Sequence, residues 1–173
     1  MSADRSKEVI QNQDLVTKVS RFQVQEFKNM ALINPRKRIR YNAHLGMENP
    51  IHEMLIVHTK GTYVPPHRHS TKTESFHIIE GELTVFLFDD TGKVYNIIPM
   101  GEYASERSFF YRVEKNIWHC LMVESEFIVF HETTNGPFDV KAIEFAPWAP
   151  QHEGPESEEF MQNLAAQKGP HFQ

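Results

Sequence analysis

Residues 61–81 read GTYVPPHRHSTKTESFHIIEG. Two histidines one residue apart, His67 and His69, are followed five positions later by Glu74, and a glycine stands at each end. In an extended strand alternate side chains leave the same face and each residue advances the chain about 3.3 Å. The two imidazoles therefore emerge roughly 6–7 Å apart and can converge on one ion. The hydroxyl-rich run at 70–73 can turn the chain back, which brings Glu74 up beside the rings on a neighbouring strand. The stretch predicts a metal site with two nitrogen donors and one oxygen donor, set in β-structure.

Downstream and upstream of this stretch the pattern is one of short strands. Segments 53–59, 62–66, 74–80, 82–88, 93–98, 108–113, 117–123, 126–132 and 140–145 are rich in β-branched and aromatic residues with turn residues between them. DDTG at 89–92 is a hairpin signal, its glycine accepting a positive φ. Many short strands without intervening helices predict an antiparallel sandwich or jelly-roll barrel. Before them, residues 1–13 are polar and expected to fray. From Asp14, a candidate N-cap, the residues Leu15, Val16, Val19, Phe22, Val24, Phe27 and Met30 fall near helical spacing, predicting one amphipathic helix that ends before Pro35, with a break expected near Ser20. After the strands, prolines around Trp148 end the sheet, and 156–167, following Pro155, can form a short helix in a polar tail.

Strand parity sorts the candidates. If His67, His69 and Glu74 face the interior, so do Phe76 and Ile78, whereas His77 faces away. A fourth donor on a later strand needs apolar neighbours two residues to either side. His119 meets this with Ile117 and Leu121, which turns Cys120 outward.

These residues carry a resemblance. Glycine, five residues, His67, one residue, His69, four residues, Glu74, six residues, Gly81 is similar to the first sequence motif of the cupins. The second motif is degenerate here: Glu114 and Asn116 stand where proline and glycine are usual, ahead of His119, and Val123 replaces the usual asparagine. Asparagine tolerates the left-handed turn that glycine supplies. PRKRIRYNAH, TYVPPHRH, ESFHIIEGELTVFLFDDTG, WHCLMV, HETTNGPF and EFAPWAP further resemble the WbuC-type cupin metalloproteins, found with O-antigen and other surface-polysaccharide gene clusters. The resemblance implies an all-β cupin double-stranded β-helix holding one divalent transition metal on His67, His69, Glu74 and His119. It also implies a homodimer paired through sheet edges. Within a single structural domain, residues 1–45 would form an N-terminal helical extension, 46–150 the barrel, and 151–173 the tail.

The chemistry of the donors independently favours a site with room for water or substrate. Structural zinc sites are usually cysteine-rich and closed, whereas three imidazoles and a carboxylate suit iron, manganese, nickel, cobalt or zinc. Upstream, Arg38, Arg40, Asn42 and His44 alternate with Ile39, Tyr41 and Ala43 as a strand with one polar face would. Arg38 and Arg40, with His44, are candidates to grip the negative charge of a ligand. Tyr63 and His131 are candidate acid–base groups, and Tyr63, Glu53 or Glu132 could orient the imidazoles.

The chain has 173 residues, enough for one core, and carries 18 basic and 23 acidic residues well mixed, for a net charge of −5. That balance favours neither nucleic acid nor an anionic membrane surface as a partner. Cys120 is the only cysteine and excludes an intrachain disulfide. The first residues lack the apolar core of a signal peptide, so a cytoplasmic protein is expected. The functional expectation is a metal-dependent enzyme acting on an anionic, carbohydrate-derived small molecule. Two alternatives stand beside it: a non-catalytic sugar- or metal-binding module with a regulatory role, and a barrel that uses histidine as a base without metal.

Overall fold

In the computed structural model, which describes residues 8–169, two sheets face each other across a shared core. The first is built from β1 (Val9–Gln11), β2 (Arg38–Asn42), β3 (Ile51–Thr59), β5 (Glu74–Glu80), β8 (Phe110–Val113) and β10 (Phe127–Asn135), in the order β1-β2-β3-β10-β5-β8. The second is built from β4 (His67–His69), β6 (Glu82–Phe88), β7 (Val94–Gly101), β9 (Trp118–Val123) and β11 (Ile143–Phe145), in the order β11-β4-β9-β6-β7. All pairings are antiparallel except β1 with β2. This is the jelly-roll architecture expected from the strand pattern.

Period-two alternation supplies the core. Met54, Ile56, Phe76, Ile78, Ile128 and Phe130 of the first sheet meet Leu83, Val85, Met100, Leu121 and Val123 of the second. Each such fully buried side chain contributes about 1.5–3 kcal/mol of transfer free energy. The opposite faces are covered by two helices. Helix α1 (Arg21–Ile33) lays Phe27 and Ala31 on Ile39, Val57 and Val129. Helix α2 (Pro155–Ala166) lays Phe160, Met161 and Leu164 on Phe86, Phe88, Trp118 and Cys120, with Trp148 between them.

Several local expectations need correction. Helix α1 starts not at Asp14 but after Ser20, whose side chain accepts from the Gln23 amide while the Gln23 side chain accepts from the Ser20 amide. That reciprocal cap satisfies two amides that would otherwise lack partners. Leu15 and Val16, counted as helix apolar positions, are 92% and 78% exposed. Their segment is held instead by the Asn12 side chain, which donates to the carbonyls of Asp14 and Ala43. Within the segment expected to fray, Val9–Gln11 pairs with β2, whereas residues 1–7 lie outside the described residues. Residues 62–66 are not a strand, because Pro65 and Pro66 have no amide hydrogen to give a ladder. Residues 140–142 form a single 3-10 turn ahead of β11.

The hairpin at 89–92 is as expected. Gly92 has φ 86°, and Asp89 accepts from the amides of Thr91 and Lys93. A Cβ at residue 92 would lie 2.7 Å from the Trp148 ring, so glycine is required there for space as well as for conformation.

Candidate metal centre

Cross-strand register places the site at one end of the barrel interior. His67 on β4 lies directly opposite His119 on β9, and Glu74 begins β5 opposite Thr134 and Val113. Asn116 has φ 65°, the left-handed conformation expected where glycine is usual, and its amide donates to the His69 carbonyl. The turn before β9 is thereby tied to the end of β4, which aims His119 at the other two rings.

The donors converge. One ligand atom from each of His67, His69, Glu74 and His119 lies within 4.8 Å of every other. Donors bound about 2.1 Å from one ion sit about 3–4.2 Å from each other, so the set fits a single transition metal with little adjustment. His69 Nε2 is 3.1 Å and His119 Nε2 3.6 Å from the Glu74 carboxylate oxygens. Neither ring nitrogen makes a hydrogen bond, although both are buried. Orphaned buried nitrogens of this kind cost free energy unless something coordinates them.

Backbone carbonyls hold the rings. The Nδ1 atoms of His67 and His119 lie 2.9 Å from the carbonyls of Pro65 and Ile117, each two residues earlier in the chain. A carbonyl can only accept, so in both rings Nδ1 carries the hydrogen and Nε2 presents its lone pair to the centre. For these two rings orientation thus comes from the local backbone and not from Tyr63, Glu53 or Glu132, whereas His69 Nδ1 is buried with no hydrogen-bond partner among the described residues. Electrostatics suit a cation as well. Burial, then the neighbouring His119, pushes His67 down to about 3. Burial opposes ionisation of Glu74, but the adjoining His119 and His69 side chains outweigh it and hold the carboxyl below the usual range. For His119 burial works downward and Glu74 outweighs it, raising the imidazole. A neutral His67 beside an ionised Glu74 is the protonation state that metal ligation needs.

The other candidates are placed less uniformly. Arg38, Arg40 and Asn42 do face the barrel side of β2, because they oppose His58, Ile56 and Met54. Arg38, however, sits at the far end beside His58, and its guanidinium is 3.4 Å from Glu8, which also binds Arg36 at 2.7 Å. It is therefore not a free clamp beside the donors. Arg40 is exposed and near enough to Glu132 to lower that carboxyl's pKa. His44 stacks on His52 at the mouth, ring centroids 4.1 Å apart, and its Nδ1 is 3.2 Å from the Glu53 carbonyl.

Two residues need correction. His131 opposes Leu55 and His77, so it points to the outer face, where Glu53 lies 3.6 Å away. The Tyr63 hydroxyl donates to the Pro150 carbonyl at 2.7 Å, and burial, with some influence from the outward-facing Cys120, raises its pKa. Neither side chain faces the donor set.

Their places inside the barrel are taken by others. Glu132 opposes Met54 and Phe76, so it lies on the inner face as a diagonal neighbour of Glu74, about 7–8 Å away along the sheet. Burial, then the charge of Glu74, pushes its carboxyl up to about 8, while Arg40 and Lys72 pull the other way. Tyr111 opposes Phe76, is 6% exposed, and has a buried hydroxyl with no partner among the described residues. The parity argument that excluded His77 also excludes His131 and selects Glu132, and the same alternation in β8 selects Tyr111. Lys72, between His69 and Glu74, is 5% exposed; burial lowers its pKa against the pull of Asp139, Glu132 and Glu74.

Comparison with known proteins agrees on the fold. The family described as "Domain of unknown function (DUF6016)" matches residues 19–100. No curated relative matches the chain. Among solved structures, recombinant pro-11S globulin of pumpkin aligns with TM-score 0.52 and 13% identity, covering 65% of this chain and 29% of the globulin. Oxalate decarboxylase from Bacillus subtilis aligns with TM-score 0.50 and 16% identity, covering 74% of this chain and 32% of that enzyme. An RmlC-like cupin family protein with a double-stranded β-helix fold, from Methanocaldococcus jannaschii, aligns with TM-score 0.44 and 16% identity, covering 60% of this chain and 84% of that one. The chain thus spans about a third of the length of the first two. Its fold is the double-stranded β-helix of the cupins, with a His/Glu set able to hold a metal.

Proposed function

We propose that this protein is a metal-dependent enzyme of WbuC type acting on an anionic, carbohydrate-derived small molecule. The observation that carries the reading is the convergence of three imidazoles and Glu74 on one point, with an inward-facing carboxyl, Glu132, one step away on the same sheet. When bound, a divalent ion there supplies Lewis acidity and lowers the pKa of coordinated water. His67 and His119 hold their Nε2 atoms toward it through the backbone contacts described above. Glu132, whose carboxyl is raised by burial, is the inward-facing group placed to give or take a proton beside the donor set, a role that Tyr63 and His131 are not placed to fill.

The surface-polysaccharide context rests on the resemblance of residues 30–150 to the WbuC-type proteins. A cytoplasmic setting rests on the single buried cysteine; no helix among the described residues is long and apolar enough to cross a membrane. Homodimer formation belongs to the same proposal. The outer face of β5 and β8 leaves Ile79, Phe109 and Phe110 exposed, unlike the faces that α1 and α2 cover, and light scattering should return the mass of a dimer.

The test is elemental analysis of untagged protein, which should show close to one transition metal per chain. Incubation of the metal-loaded protein with a panel of nucleotide sugars and uronic acids should then convert at least one of them. Binding without conversion across the panel would leave a binding module, and full ligand turnover by metal-free protein would end the metal reading.

A further inference from the structure

The loop between His69 and Glu74 is held more tightly than a surface turn needs to be. The Ser70 amide donates to the Ala142 carbonyl at 2.9 Å, and the Thr73 amide donates to the Asn135 side chain at 2.9 Å. The Thr134 hydroxyl donates to the Thr73 carbonyl at 2.8 Å. These clamps, all from residues 134–142, press Lys72 into the structure until 5% of it is exposed, with Nζ 5.2 Å from the centre of the Phe138 ring. Lysine is almost never buried unless paired. The ammonium itself is not fully enclosed, and it makes no hydrogen bond or ion pair within 4 Å to any described residue. Asp139, the acid that acts on it most strongly, is exposed and accepts from the Lys141 amide.

Charge balance indicates what is missing. Three neutral imidazoles, ionised Glu74 and a divalent ion sum to +1, and Lys72 adds another. Glu132 offsets this only when ionised, and Arg40 is a further cation near it. A site with this excess of positive charge attracts an anion.

We propose that Lys72 is the receptor for the ligand's anionic oxygen group, a carboxylate or a phosphate, at the mouth of the metal centre. This inference rests on the metal reading above and assigns to Lys72 the role that sequence alone suggested for Arg38 and Arg40, with His44. The ring of Phe138 steadies the ammonium from one side, and the anion completes it from the other while a neighbouring oxygen of the same ligand faces the ion.

Cobalt(II)-loaded protein provides the test, because its visible absorption responds to ligands without any need for turnover. Titration with D-glucuronate and, separately, with inorganic phosphate should change the spectrum saturably for at least one of them, and the more effective probe identifies the anion class. Lys72→Met should retain stoichiometric cobalt and bind that probe at least 10-fold more weakly. Lys72→Arg should recover much of the affinity, and Arg38→Met should bind like wild type. Lys72→Gln serves if Lys72→Met does not fold. Wild-type affinity in the Met or Gln variant, or an unresponsive wild-type spectrum with both anions, would overturn the assignment while leaving the metal site standing. Failure of the wild type to take up cobalt would instead remove the metal reading and this inference with it.

Discussion

The barrel interior has a polar cluster at each end, and the two are built on opposite principles. At one end stand His67, His69, Glu74 and His119; at the other stand His58, Arg38 and, across them, Glu8 and Arg36. Along β3 the rows marked by His52 and His58 are separated by about 20 Å. In the far cluster the charges answer each other: Glu8 binds both arginines, and His58 avoids charge altogether, its pKa held well below 6.5 by burial and then by the arginines. In the near cluster, the buried Nε2 atoms of His69 and His119 converge without hydrogen bonds, and Lys72 and Glu132 have no close partner among the described residues. A cluster whose charges pair with one another serves stability, even though His58 Nδ1 stays without a hydrogen bond. One whose donor atoms converge unpaired on a single point is arranged around a guest.

The contrast can be broken first where the effect is largest. Glu74→Ala or His69→Ala should lower metal affinity by more than the roughly 10–100-fold that loss of an orienting partner costs, as read by chelator competition. A metal content unchanged in both variants would erase the distinction between the ends.

Next, Glu132→Gln should stabilise the metal-free protein. A carboxyl raised to about 8 in the fold, against an ordinary 4.5, binds its proton more tightly when folded. Stability therefore falls as pH rises from about 4.5 to 8, and the full cost is present above 8. Removing that cost should raise unfolding free energy by up to about 4 kcal/mol at pH 8, and by little near pH 4.5, measured by denaturant titration at both values.

At the other end the sign should reverse. Glu8→Gln leaves Arg36 and Arg38 without their counter-charge and should destabilise by about 1–2 kcal/mol, with metal stoichiometry untouched. Smallest is His58→Phe. Because the folded pKa of His58 is depressed, the unfolded chain takes up a proton that the fold refuses, so stability is lost as pH drops below 6.5. The variant should remove about 1 kcal/mol of that loss at pH 6, visible as a flatter dependence of the denaturation midpoint on pH.

How much of this could be read beforehand depended on the range of the interactions involved. Residues 74–80 and 82–88 are strands with the expected bounds, because alternation and a flanking glycine are local signals. Parity also placed Trp118 and Cys120 on the outer face with Phe86 and Phe88. Where parity was not applied, at His131, it would have given Glu132. Other features had no local signal. Strand β1 is three residues long and exists only by pairing with β2, 31 positions later. The burial of Lys72 is decided by a segment more than sixty residues away. The ion pair that occupies Arg38 comes from Glu8, in a stretch whose polarity suggested no structure.

The backbone contacts of His67 and His119 bear on how such a protein can diversify. Each ring takes its orientation from a carbonyl two residues back in its own chain segment, so no distant side chain is needed to aim it. These two donors are modular: residues around them, Lys72, Phe138, Glu132 and Tyr111 among them, can be exchanged without turning the His67 and His119 imidazoles away. A lineage carrying this arrangement is free to change the molecule it accepts while keeping the same ion.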